Sequence, residues 1–243
     1  MKKILAFTLA ETLIVMGIIG VVSALTLPNL NSSTGDKEKI AKVKKIYRDL
    51  TDALGRAEAV YGPMDEWATS GTDQNTQVKI QGERITEFMK LSKNCGTTAN
   101  QGCFSKKNTT FWNDSSGAYG RLALDTDTYS YRVISADGTS IMFKNIGDVG
   151  GFQIYIDIDG PNKGPNIFAK DIFSFDFYDR ELHPDIRPGT NLTTRTVNEC
   201  FYPGYCSNWV IQNDNMDYLK ADKSGKCKNN TSIQLSENVI SCK

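Results

Sequence analysis

Histidine is almost absent from this sequence; His183 is the only one. No two of the six cysteines, Cys95, Cys103, Cys200, Cys206, Cys227 and Cys242, form a Cys-x-x-Cys pair, so the ligand spacing of a structural zinc site is missing. Cysteine does not occur at all before residue 95. An excess of one charge is missing too. The 28 basic side chains balance the 28 acidic ones, which removes the bulk electrostatic reason to expect a nucleic-acid partner. No Gly-x-Ser-x-Gly elbow, phosphate loop or zincin helix occurs, so no motif assigns an enzymatic step and a non-enzyme is expected. His183, in "LHPD", reads as a surface loop residue.

One further scarcity is local. From Phe7 to Leu27 the only ionisable side chain is Glu11. As a helix this run is about 30 Å long at about 1.5 Å per residue, close to the thickness of a bilayer core. Lys2 and Lys3 precede it, which favours a cytoplasmic N-terminus with the rest of the chain crossing. A cleaved secretory signal fits poorly, because the small residue, Ala6, stands before the apolar run and not after it. A cut between Ala6 and Phe7 would remove the basic leader, keep the apolar segment and create a new α-amino group near the depth of Glu11. A carboxylate inside a membrane helix costs about 2.5–3.5 kcal/mol at the centre and generally has a partner. The new amine, on the same or a neighbouring helix, would then be that partner.

The stretch "KKILAFTLAETLIVMGIIGVVSALTLPNL" resembles the prepilin-type cleavage and methylation segment of type IV pilins and type II secretion pseudopilins. The matching pieces are the short basic leader, the small residue before Phe7, "FTLAE" with Glu11, and Pro28 at the end of the run. Ala6 stands where glycine is usual, and Ala10 where a larger apolar residue is common. The resemblance implies that a prepilin peptidase removes residues 1–6 and methylates Phe7, and that Glu11 guides assembly. It also implies a bacterial inner-membrane protein, single-pass with a cytoplasmic N-terminus. Its partners would be other pilin or pseudopilin subunits and an inner-membrane assembly platform, in a cell-surface or periplasmic filament. No nucleic acid is expected.

Four segments follow: a leader at 1–6, a transmembrane and assembly helix at 7–30, an amphipathic continuation at 31–62, and an extracytoplasmic globular domain at 63–243. Gly17 and Gly20 allow close helix approach. Pro28 is expected to kink the helix, and "NSSTG" at 31–35 to break or weaken it, with Ser33 and Asp36 capping a restart. Ile40, Val43, Tyr47, Leu50, Leu54, Ala57 and Tyr61 alternate steps of three and four, one apolar stripe that Gly62-Pro63 ends. The opposite face carries Lys37, Lys39, Lys42, Lys44, Lys45, Arg48 and Arg56, read as a solvated face that pairs with acidic neighbours.

Residues 64–82 read as a loop and "GERITEFMKLSKNC" as a short helix with Ile85, Phe88 and Met89 inward. Period-two patterns then take over. "LALDTDTYSYRVISADGTSIMFKN" holds three strand-like runs with Asp137-Gly138 as a two-residue hairpin signal. "GFQIYIDID" places Phe152, Ile154, Ile156 and Ile158 on one face, and "DIFSFDFYD" does so for Phe173, Phe175 and Phe177. The expected class is α+β: a long N-terminal helix, membrane-embedded in its first half, packed on a small antiparallel sheet of five strands with one covered face. This agrees with the pilin-like fold that the resemblance implies. The region 184–243 reads as irregular and disulfide-bearing, with "SNWVIQNDNMDYLK" ambiguous between helix and strand.

In an exported chain the cysteines read as disulfides. Cys95–Cys103 is expected from its short loop; Cys200–Cys206 and Cys227–Cys242 follow from proximity alone. "DIDGPNKGPNIFAKD", 157–171, offers side-chain oxygens from Asp157, Asp159, Asn162, Asn166 and Asp171. That set suits either a calcium ion or a turn in which Asp and Asn bond their own backbone. The leading expectation is a structural filament subunit. A membrane-anchored minor pilin acting as an adhesion or binding module is the alternative, and an anchored enzyme the third reading.

Overall fold

The computed structural model describes residues 9–68, 71–111, 122–145, 151–184, 206–222, 225–233 and 241–242; the side chains of 23–34 lie outside this set. The chain divides into two compact units, Met1–Glu38 and Lys39–Lys243. Helix α1, Leu9–Tyr61, enters both. Its backbone is helical through Pro28 and through 31–35, so the expected break at "NSSTG" does not occur. The low helix propensity of Asn, Ser, Thr and Gly costs a few tenths to about one kcal/mol per residue, too little to interrupt a helix favoured on both sides.

In the first unit, every described side chain from Leu9 to Val22 is exposed. In the second, the helix buries Ile40, Val43, Ile46, Leu50, Ala53, Leu54 and Ala57, with Tyr47 and Tyr61 half-buried against the same cluster. The stripe is therefore broader than the expected one by Ile46 and Ala53. Gly62 follows its last residue, with the Gly62 N–H donating to Glu58 O at 2.9 Å.

Asp73 then caps helix α2, Gln74–Thr86: its Oδ1 accepts from the N–H groups of Asn75 and Thr76 at 3.0 and 3.1 Å. This start corrects the loop expected over 64–82, as does a 3-10 turn at Met64–Glu66. Apolar periodicity missed α2 because its inner face is largely polar. Gln77 and Gln81 are buried beside Val78, and Gln77 donates to Thr72 O (2.8 Å) and accepts from Asn145 Nδ2 (2.9 Å). Phe88 and Met89 lie past the helix end, half-buried on the core.

Among the described residues the sheet has eight strands, β1 Leu91–Gly96, β2 Thr110–Phe111, β3 Ser130–Ser135, β4 Ser140–Asn145, β5 Phe152–Asp157, β6 Ile167–Phe168, β7 Ile172–Tyr178 and β8 Glu181–His183. The order is β1-β3-β4-β5-β7-β6-β2, with β8 also on β7. The middle is antiparallel, but β6 runs parallel to both β2 and β7, so the sheet is mixed and not the purely antiparallel one expected. Of the three runs anticipated between 122 and 145, two are strands, and Leu122 makes only an isolated bridge to Thr109. The β3–β4 turn is where Asp137-Gly138 predicts it, but it is a three-residue loop. Ser135 N–H donates to Thr139 O, Gly138 N–H donates to Ser135 O, and Gly138 takes the left-handed φ of +89°.

Both faces of the sheet are covered, not one. Tyr131, Val133, Ile141, Phe143, Phe152, Ile154, Ile156, Phe173, Phe175 and Phe177 join the α1 residues in one core. Met142, Tyr155, Phe168 and Ile172 form a second core with Cys95, Cys103, Phe104, Phe111 and Leu124. The C-terminal region is less irregular than expected: α3, Ser207–Asn213, and a 3-10 turn at Asp217–Lys220 bury Trp209, Val210 and Tyr218 in the first core. Ser207 Oγ staples α3 to β7, donating to Ser174 O and accepting from Ser174 N–H.

Candidate functional site

The N-terminal residues of interest divide between described and undescribed. Ala6 and Phe7 lie outside the described residues. Glu11 lies in α1 and is exposed among apolar neighbours. Leu13, Ile14, Met16, Ile18 and Ile19 around it are 59–68 % exposed. The Pro28 backbone belongs to α1; its side chain lies outside the described set. Among the described residues, no helix is long and apolar enough to cross a membrane.

The second candidate is the 157–171 loop, which leaves β5, contains β6 and returns to β7. Asp157 Oδ1 accepts from the Asp159 and Gly160 N–H groups, both at 3.1 Å. Asp171 accepts from Asn166 N–H at 2.7 Å and Ile167 N–H at 2.6 Å, one bond to each carboxylate oxygen. These carboxyls therefore serve as acceptors for their own loop. Asn162 is exposed, whereas Asn166 is buried with its Oδ1 lacking a hydrogen-bond partner, as does Asp157 Oδ2. Gly160 has φ +78°, and a Cβ there would lie 2.5 Å from Gly138 O, so this loop and the β3–β4 turn touch through backbone. Among the described residues, no group of three Asp, Glu, His or Cys side chains is placed to hold a metal ion.

Burial pushes the Asp157 carboxyl up to about 7, against the pull of the Asp159 and Gly160 amides and with the help of the Asp171 and Asp159 charges. Burial raises Asp171 as well, opposed by the amides it accepts from and by Lys39.

Four lysines of α1, Lys39, Lys42, Lys44 and Lys45, make their contacts within the second unit. Lys39 Nζ donates to Lys170 O at 3.1 Å, and Lys42 Nζ to Ile158 O at 3.5 Å while lying 3.8 Å from Asp159 Oδ1. Lys44 pairs with Asp214 at 2.8 Å, and Lys45 with Asp49 and Asp137 at 2.7 and 2.8 Å. Burial disfavours the Asp137 carboxylate, but bonds from Lys45, the Ser135 hydroxyl and Thr139 N–H outweigh it and hold Asp137 below the usual carboxylate range. Acidic pairing was expected of this face. That the partners come from the sheet loops (Asp137, Asp159, Ile158 O and Lys170 O), from the end of α3 (Asp214) and from α1 itself (Asp49) was not legible.

Cys95–Cys103 and Cys227–Cys242 are disulfides, as expected. Cys206 is disulfide-bonded; Cys200 lies outside the described residues. His183, expected in a loop, is in β8 opposite Asp176, its ring stacked on Tyr178 with centroids 3.8 Å apart. One feature escaped the sequence reading entirely. Arg132 is fully buried, its Nε donating to Leu124 O at 2.6 Å and its Nη2 to Asp127 O, and burial lowers its pKa. Its position in "SYRVIS", between apolar residues in a strand, was the available signal.

No family model, curated protein or solved structure matches the chain.

Proposed function

We propose that this protein is a non-enzymatic structural subunit of a type IV pilus or type II secretion pseudopilus. The observation that carries the reading is the division of labour within α1. Its apolar side chains from Leu9 to Val22 are exposed around Glu11, while from Ile40 to Ala57 they form the core of the globular unit. An exposed apolar helix needs lipid or other helices around it. Together with the leader, Ala6, Phe7 and Pro28 of the sequence, this supports a subunit held in the inner membrane by α1. In that reading residues 39–243 lie outside the cytoplasm, where disulfides persist. A prepilin peptidase removes residues 1–6, and an assembly platform stacks the subunit among others through Glu11 and the Phe7 amine.

The test is mass spectrometry of the mature chain together with fractionation of sheared filaments from wild type and Glu11→Ala. The expected result is a chain beginning at a methylated Phe7, and a Glu11→Ala protein that is inserted and folded but depleted from filaments. An intact leader on the assembled protein, or normal filament yield from Glu11→Ala, would overturn the reading.

A further inference from the structure

We propose that Lys39 and Lys42 are the fixed counter-ions of the 157–171 loop, bonding with two ammonium groups the backbone carbonyl oxygens that a divalent cation there would otherwise draw on. The oxygens of the loop are the starting point. A calcium ion takes six to eight oxygen ligands, carboxylate and carbonyl. Here both Asp171 oxygens and one Asp157 oxygen are bonded to backbone N–H groups of the loop and Asn162 is exposed, while Asp157 Oδ2 and Asn166 Oδ1, buried without a partner, fall well short of that number. Two backbone carbonyls, Ile158 O and Lys170 O, accept from Lys42 and Lys39. Lys42 also lies 3.8 Å from Asp159 Oδ1, and the charge of Lys39 acts on Asp171.

The helix supplies the geometry. Residues three apart lie on one face, so Lys39 and Lys42 reach the two ends of the loop from adjacent positions of α1. An ammonium offers three donors and no acceptor, which suits a rim of carbonyl and carboxylate oxygens. A tethered cation needs no free ion to fill its place. It also fixes α1 to the start of this loop, just after β5, and to its end, just before β7. The loop's seat on the helix therefore depends on lysine charge and not on calcium.

The test uses full-length protein in a non-ionic detergent, melted in a calcium chelator and in millimolar calcium. Wild type is expected to melt at the same temperature in both. Lys39→Gln and Lys42→Gln should each melt lower than wild type by roughly 2–4 °C, the shift that about 1 kcal/mol produces in a domain of this size. Lys42→Arg, which keeps the charge, should restore most of the loss. Three results would overturn the proposal: a wild type stabilised by calcium with the gain abolished in Asp159→Asn, lysine variants that melt like wild type, or a Lys42→Arg protein as unstable as Lys42→Gln.

Discussion

The two ends of helix α1 use the same kinds of residue for opposite purposes. Ile14 and Ile18 are 63 % and 59 % exposed, whereas Val43 and Leu50 have no exposed surface. Nothing in the intrinsic propensity of isoleucine, valine or leucine separates the two groups. The difference lies in what surrounds them in sequence. Leu9–Val22 contains one charged residue, so it is apolar all round and offers no polar face to water. From Lys37 onward lysines, arginines and acids occupy most positions outside the stripe, with Ala41, Thr51, Gly55, Ala59 and Val60 as the exceptions, and the stripe is what turns to the sheet. A helix uniform in secondary structure is thus divided by side-chain chemistry into a segment whose apolar side chains are exposed and a segment that makes one side of a buried core.

The contrast is broken most severely by emptying the buried segment. Leu50 is fully buried among the phenylalanines and isoleucines of the first core. Leu50→Ala should destabilise the globular unit by about 2–5 kcal/mol, transfer loss plus cavity. Chemical denaturation of full-length protein in detergent reads this as a lower midpoint with an unchanged slope. A loss below the range expected for a buried leucine would mean that α1 contributes less to the core than its burial implies.

That core was legible in large part. The three-four spacing from Ile40 to Tyr61 and the alternating isoleucines and phenylalanines of β5 and β7 each marked the face that is buried. Three kinds of feature were not legible. The strands β2, β6 and β8 have two or three residues, too few for a period to show. Helix α2 buries glutamines whose hydrogen bonds stand in for apolar contact, so its inner face looked like solvent. The second sheet face was read as open because its cover, the loop closed by Cys95–Cys103 together with Phe104 and Phe111 just beyond it, has no regular pattern. At the candidate sites, the two described disulfide pairs and the acid-rich loop were visible, but their partners across the fold were not. Lys39 and Lys42 meet that loop across more than a hundred residues of chain, a distance no local pattern encodes.

A pH titration sharpens the comparison, because it acts on the globular unit through one buried acid. Asp157 moves from an ordinary value of 3.8 to about 7 in the folded protein. A folded value raised in this way means that the native state holds the proton more tightly than the unfolded chain does. The stabilising contribution is complete below the unfolded pKa and is lost as pH rises through about 7. The melting midpoint should therefore fall between about pH 4 and about pH 7, the interval between the two pKa values. Asp137, held below the usual range, titrates beneath that window and acts in the opposite sense there. Asp157→Asn keeps an oxygen for the Asp159 and Gly160 amides but cannot ionise. It should flatten the slope in part, since Asp171 is raised as well. A variant with the slope of wild type would assign the pH dependence elsewhere.

The smallest effect is expected at the exposed end, and its smallness is the informative part. Ile18 is 59 % exposed in the first unit. Ile18→Ala removes apolar surface that the globular unit does not bury, so its denaturation midpoint should match wild type, within the roughly ±0.5 kcal/mol typical of surface positions. Alanine is also the better helix former, by a few tenths of a kcal/mol, so local helicity should not fall. The same substitution at Val43 or Leu50 leaves a cavity, and at Ile18 it leaves none. Any cost at Ile18 should show only where lipid or neighbouring helices surround it, as reduced recovery in filaments by mature subunits that fold and insert normally. A clear drop in the denaturation midpoint of Ile18→Ala would mean that the exposed segment packs against the globular unit, and the division of labour drawn along α1 would then fail.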